Sequence, residues 1–192
     1  DDVESRGLGD VYKRQIKYGT DNMAKGPAMS REEAVRAIEV GIHMVEELVA
    51  KGYNLFATGE MGIGNTTSSS AVCSVLLDQP VEKVTGKGAG LTNKDLEHKI
   101  AVIKESIALN QVDASDPLDV LSKVGGLDIA GLVGCFIGAA ACRVPAFIDG
   151  FISSVAALLA VRLAPQCDPY LFPSHCSNEP AGQMVLDALG KQ

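Results

Sequence analysis

The feature that most constrains the fold is an apolar segment that runs into a glycine-rich turn and then into a helix. Tyr53-Asn-Leu-Phe-Ala-Thr58 is short and largely apolar, which predicts a buried strand. The turn is Gly59-Glu-Met-Gly-Ile-Gly-Asn-Thr-Thr67, and the small residues of 66–77 predict a helix able to pack closely on a sheet. A strand, a tight turn and a helix in this order are typical of α/β folds.

The rest of the chain repeats this alternation. Ser30 with Glu33 forms a capping-box pattern, and the helical spacing of apolar residues that follows is closed by Lys51-Gly52. Strands are predicted at Val144–Asp149 and Tyr170–Phe172. Further helices are predicted at 93–110, 116–121, 128–141 and 151–163. We therefore expect an α/β fold with a mainly parallel sheet, in which ligands bind beyond the carboxyl ends of the strands.

Composition excludes several classes of partner. A net charge of −7 and a pI near 4.9 argue against a nucleic-acid partner, because neutralising phosphates requires clustered Lys and Arg. The five cysteines include no CxxC pair, so neither a disulfide framework nor a zinc site is expected, and free thiols favour the cytoplasm. No apolar run reaches the ~18–20 residues that span a bilayer, so no membrane partner is expected. Residues 1–15 lack a clear period and are interpreted as a disordered lead or a non-native scar before the core at 16–192.

The glycine-rich turn is the first candidate binding site. Free N–H groups at the start of the following helix bind phosphate or carboxylate, assisted by the helix dipole. Gly62 and Gly64 allow a ligand to approach the backbone, while Asn65 and Thr66 open the helix with polar side chains. The turn matches neither a Walker A loop nor a full G-x-G-x-x-G fingerprint. A plain turn capped by Asn or Thr is the alternative reading.

Other candidates lie at the same predicted edge. Glu60 is placed to accept hydrogen bonds from ribose hydroxyls, or is a solvated loop residue. Asp149-Gly150 ends a predicted strand, where a carboxylate more often takes part in function than not. The Thr85–Gly90 cluster offers a second flexible backbone cradle, and Lys99 on the next helix either reaches an anion or is solvated.

Histidine offers no metal site. His175, in the polar loop Ser174–Glu179, is a candidate general base with no identifiable partner. His43 and His98 have no ligand spacing to another histidine, so no metal ion is expected.

Taken in order, these motifs resemble the signature of the nicotinate-nucleotide:dimethylbenzimidazole phosphoribosyltransferases. The resemblance covers residues 16–190 or so. Several linked motifs in the right order make it more specific than any single motif. The motifs are Gly19-Thr-Asp-Asn-Met-Ala-Lys-Gly-Pro-Ala-Met29, Gly59 to Thr67, Thr85-Gly-Lys-Gly-Ala-Gly-Leu91, Asp116-Pro-Leu-Asp-Val-Leu121 with Val124-Gly-Gly126, Asp149-Gly-Phe151, and His175 to Pro180.

The resemblance implies a fold and a reaction. The fold is a Rossmann-like three-layer core with a smaller helical domain, usually in a homodimer. The reaction moves the ribosyl phosphate of nicotinate mononucleotide to 5,6-dimethylbenzimidazole, giving nicotinate and α-ribazole 5′-phosphate in cobalamin biosynthesis, without a cofactor. By resemblance, the nucleotide is held by Gly62, Gly64, Asn65 and Thr66, its phosphate lies near Gly88, Lys99 and Ser177, and its ribose or nicotinate lies near Glu60 and Asp149. Gly150 is also expected to bind substrate.

The sequence also departs from the family pattern. The family's general base is a glutamate in a segment beyond Gln192, and the N-terminal region that forms much of the benzimidazole pocket has no counterpart here. We therefore assign no catalytic residue and expect an internal fragment, lacking most of the helical domain, that binds substrate without turning it over. The alternatives are a non-enzymatic nucleotide- or anion-binding module, and an unrelated α/β phosphosugar enzyme that uses His175 or Asp149 as its base.

Overall fold

A computed structural model describes residues 14–88 and 90–191 of the chain. Most of the segment 1–15 lies outside the described residues, but the Arg14 side chain is described, with Nη2 2.5 Å from Glu47 Oε2. The elements are α1 (Arg31–Ala50), β1 (Phe56–Ala57), α2 (Thr66–Leu77), α3 (Val81–Val84), α4 (Asn93–Leu109), α5 (Pro117–Val124), α6 (Leu127–Ala141), β2 (Ala146–Ile148), α7 (Phe151–Leu163), a 3₁₀ helix (Pro165–Tyr170), β3 (Leu171–Pro173) and α8 (Gly182–Ala188).

The three strands form a parallel sheet in the order β1-β2-β3, which confirms the predicted α/β class. Phe56 pairs with Ala146, and Ala146 pairs with Leu171. The first strand is shorter than the predicted 53–58, because β1 pairs only with β2. Its ladder begins where Phe56 N–H donates to Pro145 O, so the exposed Tyr53 precedes any partner strand.

Local signals in the sequence correctly predict where α1 and α5 begin. The Ser30 hydroxyl accepts from Glu33 N–H while the Glu33 carboxylate accepts from Ser30 N–H, which completes the predicted capping box of α1. Asp116 caps α5, and Pro117 occupies its first turn. The sequence analysis missed α3, α8 and the 3₁₀ helix. These are short segments without a side-chain cap bond, and the one helix-start signal among them, Pro165 at the start of the 3₁₀ helix, is interpreted from the sequence as the end of the preceding helix.

The core is built by close packing of helices. The most extensive helix contact joins α1 to α6, where glycines allow the two backbones to approach. A Cβ on Gly134 would lie 1.9 Å from the carbonyl oxygen of Ile38, and a Cβ on Gly41 would lie 2.1 Å from that of Gly131. Nearly every residue of α7 is buried, and this helix contacts β2, so it covers one face of the sheet.

The opposite face of the sheet is apolar and open to solvent within the described residues. Leu55, Phe147 and Phe172 are 55%, 37% and 45% exposed, and the two phenylalanine rings lie 6.1 Å apart between centroids. Among residues 14–88 and 90–191, each helix is too short or too polar to cross a membrane. All five cysteines are free thiols.

Candidate active site

A cleft of about 290 Å³ opens beyond the carboxyl ends of β1 and β2. This is the edge at which the sequence predicts ligand binding. It is lined by Glu60, Met61, Gly62, Thr66, Gly88, Asp149, Gly150, Phe151, Ile152, Ser153, Ser177 and Glu179.

Hydroxyl groups tie the ends of the two strands together at the floor of the cleft. Thr58 Oγ1 donates to the carbonyl oxygen of Phe147 at 3.0 Å, and it also lies 2.5 Å from Ser153 Oγ. Because the single Thr58 proton is used by Phe147, Ser153 donates in this second contact. Ser153 Oγ in turn accepts from Asp149 N–H at 3.1 Å. These hydrogen bonds fix the backbone at Asp149, which lines the cleft.

Two helix N-termini open into the cleft. The first turn of α7 lines it through Phe151 to Ser153, and Thr66 at the start of α2 lines it from the other side. Neither N-cap residue, Gly150 or Asn65, makes a side-chain cap hydrogen bond. The free N–H groups of both helices are therefore available to an anion, which the two helix dipoles also favour.

Lys99 supplies a positive charge behind the start of α2. The side chain reaches from α4, only 8% of the residue is exposed, and Nζ donates to Thr66 Oγ1 at 3.0 Å and to Gly86 O at 3.1 Å. It forms no ion pair with any carboxylate of the described residues. Burial lowers the pKa of the Lys99 ammonium, and the negative charge of Glu179 opposes that shift. A buried ammonium that contacts only neutral oxygens is costly by itself and is stabilised when an anion binds beside it.

Three carboxylates line the remainder of the cleft. The Glu60 carboxylate folds back onto its own turn, with Oε2 2.5 Å from Gly62 N. Asp149 Oδ1 lies 3.9 Å from His175 Nδ1. Glu179 lies against Gly86, where its Oε2 would be 1.8 Å from an added Cβ. The cleft therefore has two parts. One is an anion-binding wall, formed by the starts of α2 and α7 and the Lys99 ammonium behind Thr66, and the other is this set of acidic side chains.

Most of the residues singled out from the sequence meet in this cleft. Lys99 stands directly behind Thr66, whereas Gly64 and Asn65 line a neighbouring cavity of about 410 Å³. The turn reverses direction through Gly62 and Gly64, whose φ angles of +76° and +79° favour glycine. The predicted residues that line the cleft are Glu60, Gly62, Thr66, Gly88, Asp149, Gly150 and Ser177.

The Asn65 side chain does not cap its helix, and His175 lies at the surface. The amide of Asn65 donates to Asp128 Oδ2 at 2.6 Å instead of capping α2. His175 is exposed, and its Nδ1 lies 2.9 Å from Ser174 Oγ. Within the part of the chain that the structure describes, no three His, Cys, Asp or Glu side chains are grouped to hold a metal ion.

Sequence reasoning did not single out several cleft residues. Glu179 follows Ser177 by two positions, but a loop carboxylate carries no signal of its contact with Gly86. The first turn of α7 was detectable in principle, because it follows the strand-ending Asp149-Gly150. The lining residues missed are Met61, Phe151, Ile152, Ser153 and Glu179.

Comparisons with known proteins identify the family to which this fold and cleft belong. A family model described as phosphoribosyltransferase matches residues 2–192, a range that begins within the segment 1–15 set apart above. The nicotinate-nucleotide–dimethylbenzimidazole phosphoribosyltransferase of Acetivibrio thermocellus is 59% identical over 99% of this chain and 53% of its own length. The protein of the same name from Ruminiclostridium cellulolyticum is 54% identical over 98% of this chain and 53% of its own.

A solved structure extends the likeness to the fold. The crystal structure of CobT from Thermus thermophilus superposes with a TM-score of 0.89 at 35% identity, covering 96% of this chain and 57% of that one. The chain spans about half the length of the curated relatives it matches. It therefore belongs to the phosphoribosyltransferase family whose members include the nicotinate-nucleotide–dimethylbenzimidazole phosphoribosyltransferases.

Proposed function

We propose that this chain binds nicotinate mononucleotide in the cleft beyond β1 and β2, as the nucleotide-binding part of an enzyme that transfers ribosyl phosphate to 5,6-dimethylbenzimidazole. In that reaction, a ring nitrogen of the benzimidazole forms a bond to C1′ of the ribose while the bond from C1′ to the nicotinate nitrogen breaks, and the benzimidazole releases its N–H proton. The relatives' names supply the two substrates, and the cleft supplies the physical argument for where one of them binds.

The observation that carries this proposal is the buried ammonium of Lys99 beside the uncapped start of α2, in a cleft that the uncapped start of α7 also lines. The phosphate of the nucleotide is proposed to lie against Thr66, Gly88 and Ser177, with Lys99 behind it. A phosphate there gains charge-assisted hydrogen bonds and stabilises a charge that the protein alone leaves unpaired. Gly88 suits this role because a Cβ there would lie 2.9 Å from Thr66 Oγ1, so the loop is already in close contact with the start of α2.

The acidic side of the cleft suits the sugar. Transfer of a ribosyl group develops positive charge at C1′ as the leaving group departs, as in other glycosyl transfers. The carboxylates of Glu60 and Asp149 are placed to stabilise that charge and to accept hydrogen bonds from ribose hydroxyls. The pyridinium nitrogen that joins nicotinate to the ribose is itself positively charged before transfer, which the same carboxylates favour.

We further propose that the enzyme acts in the cytoplasm as a homodimer, and that no nucleic acid takes part. The five free thiols and the net charge of −7 support the first and last of these statements. The family resemblance supports the second.

The proposal is tested by nucleotide binding and not by turnover, because the chain spans only about half of its relatives' length. In calorimetry, the wild-type chain should bind nicotinate mononucleotide more tightly than nicotinate riboside, which lacks the phosphate. Lys99→Ala should weaken nucleotide binding roughly 10- to 150-fold, corresponding to one lost hydrogen bond from a charged group. The same substitution should leave riboside binding nearly unchanged.

Lys104→Ala is the matched control, because Lys104 lies on the same helix but is about half exposed and pairs with Glu82. It should leave both affinities unchanged. A folded wild-type chain that does not bind the nucleotide would refute the proposal. Equal losses for nucleotide and riboside in Lys99→Ala would contradict the placement of the phosphate.

A further inference from the structure

Glu179 places a carboxylate at the anion-binding wall of the cleft. Its Oε2 lies 1.8 Å from the position that a Cβ of Gly86 would occupy, and the carbonyl oxygen of Gly86 accepts from Lys99 Nζ. The Glu179 N–H donates to Ser177 Oγ at 3.2 Å, so the carboxylate and Ser177 belong to one turn. Both residues line the same cleft as Thr66 and Gly88.

A carboxylate in this position restricts which anions can bind. A fully deprotonated oxyanion offers Glu179 only lone pairs, so the two negative charges repel each other. An oxyanion that keeps one proton can instead donate an O–H···O⁻ hydrogen bond to the carboxylate, which is among the stronger hydrogen bonds in proteins. Its remaining oxygens stay free for Lys99 and the helix N–H groups.

We propose that Glu179 is a specificity-determining residue that accepts a hydrogen bond from a singly protonated phosphate monoester. The inference rests on the proposed function, because it assumes that the substrate phosphate occupies this wall. The proton remains on the phosphate oxygen and no covalent bond changes. The site therefore selects the phosphate monoanion and discriminates against sulfate, which carries no proton near neutral pH.

Other charged groups near Glu179 set the limits of the pH test. Lys99 approaches from α4, while Glu60 and Asp149 follow β1 and β2. Lys87 is exposed on the loop beside Gly86, and His175 lies on the same loop as Glu179. His175 is the imidazole among these groups, so it needs its own control variant.

Calorimetry with nicotinate mononucleotide provides the test. Because a phosphate monoester has a second pKa of about 6, wild-type affinity should fall about 25-fold between pH 6.5 and pH 8.0. At pH 7.5, titrations in buffers of different ionisation enthalpy should show uptake of about one proton per nucleotide bound. In Glu179→Gln, whose amide can donate to a dianion, the affinity should change less than about threefold over the same pH range, and proton uptake should approach zero.

Competition and control variants complete the experiment. Inorganic phosphate should displace the nucleotide from the wild-type chain at concentrations where sulfate does not, and Glu179→Gln should accept both. His175→Gln should keep the pH dependence, and Glu105→Gln, an exposed glutamate on α4, should behave as wild type. Nucleotide binding by wild type without pH dependence or proton uptake overturns the role of Glu179 while leaving the proposed function intact. Absence of nucleotide binding overturns both, and the wild-type proton count decides the point even if Glu179→Gln does not fold.

Discussion

Replacing Gly134 with alanine should destabilise the protein by forcing α1 and α6 apart. A Cβ at position 134 would lie 1.9 Å from the carbonyl oxygen of Ile38 and 2.9 Å from the Cα of Gly41. Both are backbone atoms within helices, so neither can move aside by changing a rotamer. The helices must therefore separate along the most extensive helix contact in the fold.

The size of the effect follows from two opposing contributions. Overpacking a well-packed core costs about 1–3 kcal/mol, whereas replacing glycine inside a helix with alanine gains about 0.5–1 kcal/mol. Gly131 lies on the same helix, but a Cβ there meets no atom within 4 Å. Gly131→Ala should therefore show only the gain. Because both variants share that gain, they should differ by the overpacking cost alone, about 1–3 kcal/mol in the free energy of unfolding.

Thermal and urea unfolding followed by circular dichroism measure this difference. For a chain of this size, about 2–4 °C of melting temperature corresponds to each kcal/mol, so the two variants should melt roughly 2–12 °C apart. Gly131→Ala should melt at or above the wild-type temperature, and Gly134→Ala below it. If both substitutions shift the melting temperature equally, the close packing of α1 on α6 does not limit stability and the reasoning is refuted.

Two further predictions concern the loop beside the cleft and the thiols. A Cβ on Gly182 would lie 2.3 Å from the carbonyl oxygen of Ser177, so Gly182→Ala should displace that loop and weaken nucleotide binding in calorimetry, and unchanged affinity would argue against a role for Ser177. Burial raises the pKa of the Cys73 thiol to about 12, so at pH 8 only roughly one molecule in 10,000 carries the thiolate. Iodoacetamide should therefore modify the exposed Cys176 in the folded protein, detected by mass spectrometry, and reach Cys73 only after unfolding; early modification of Cys73 would contradict its burial.

Much of the fold was predictable because its signals are local. The capping box at Ser30, the proline at position 117 and the strand–turn–helix around Gly62 each act within a few residues, and the structure has a helix or strand where they predict one. The lengths of the strands were not predictable in this way. β1 is two residues long because its register with β2 pairs only Phe56 with Ala146 and Ala57 with Phe147, and that pairing joins residues about 90 positions apart.

The sequence by itself determined the α/β class, the family resemblance and most of the residues that meet in the cleft. It could not decide between a solvated Lys99 and one held against the anion-binding wall. Only the tertiary structure did so, by burying that ammonium against Thr66 and Gly86 without a carboxylate partner. It also turned Asn65 toward Asp128 and brought Glu179 onto Gly86. The physical reason is that a side chain's charge and hydrogen-bonding groups are local properties, whereas its burial and its partners depend on elements that are distant in the chain.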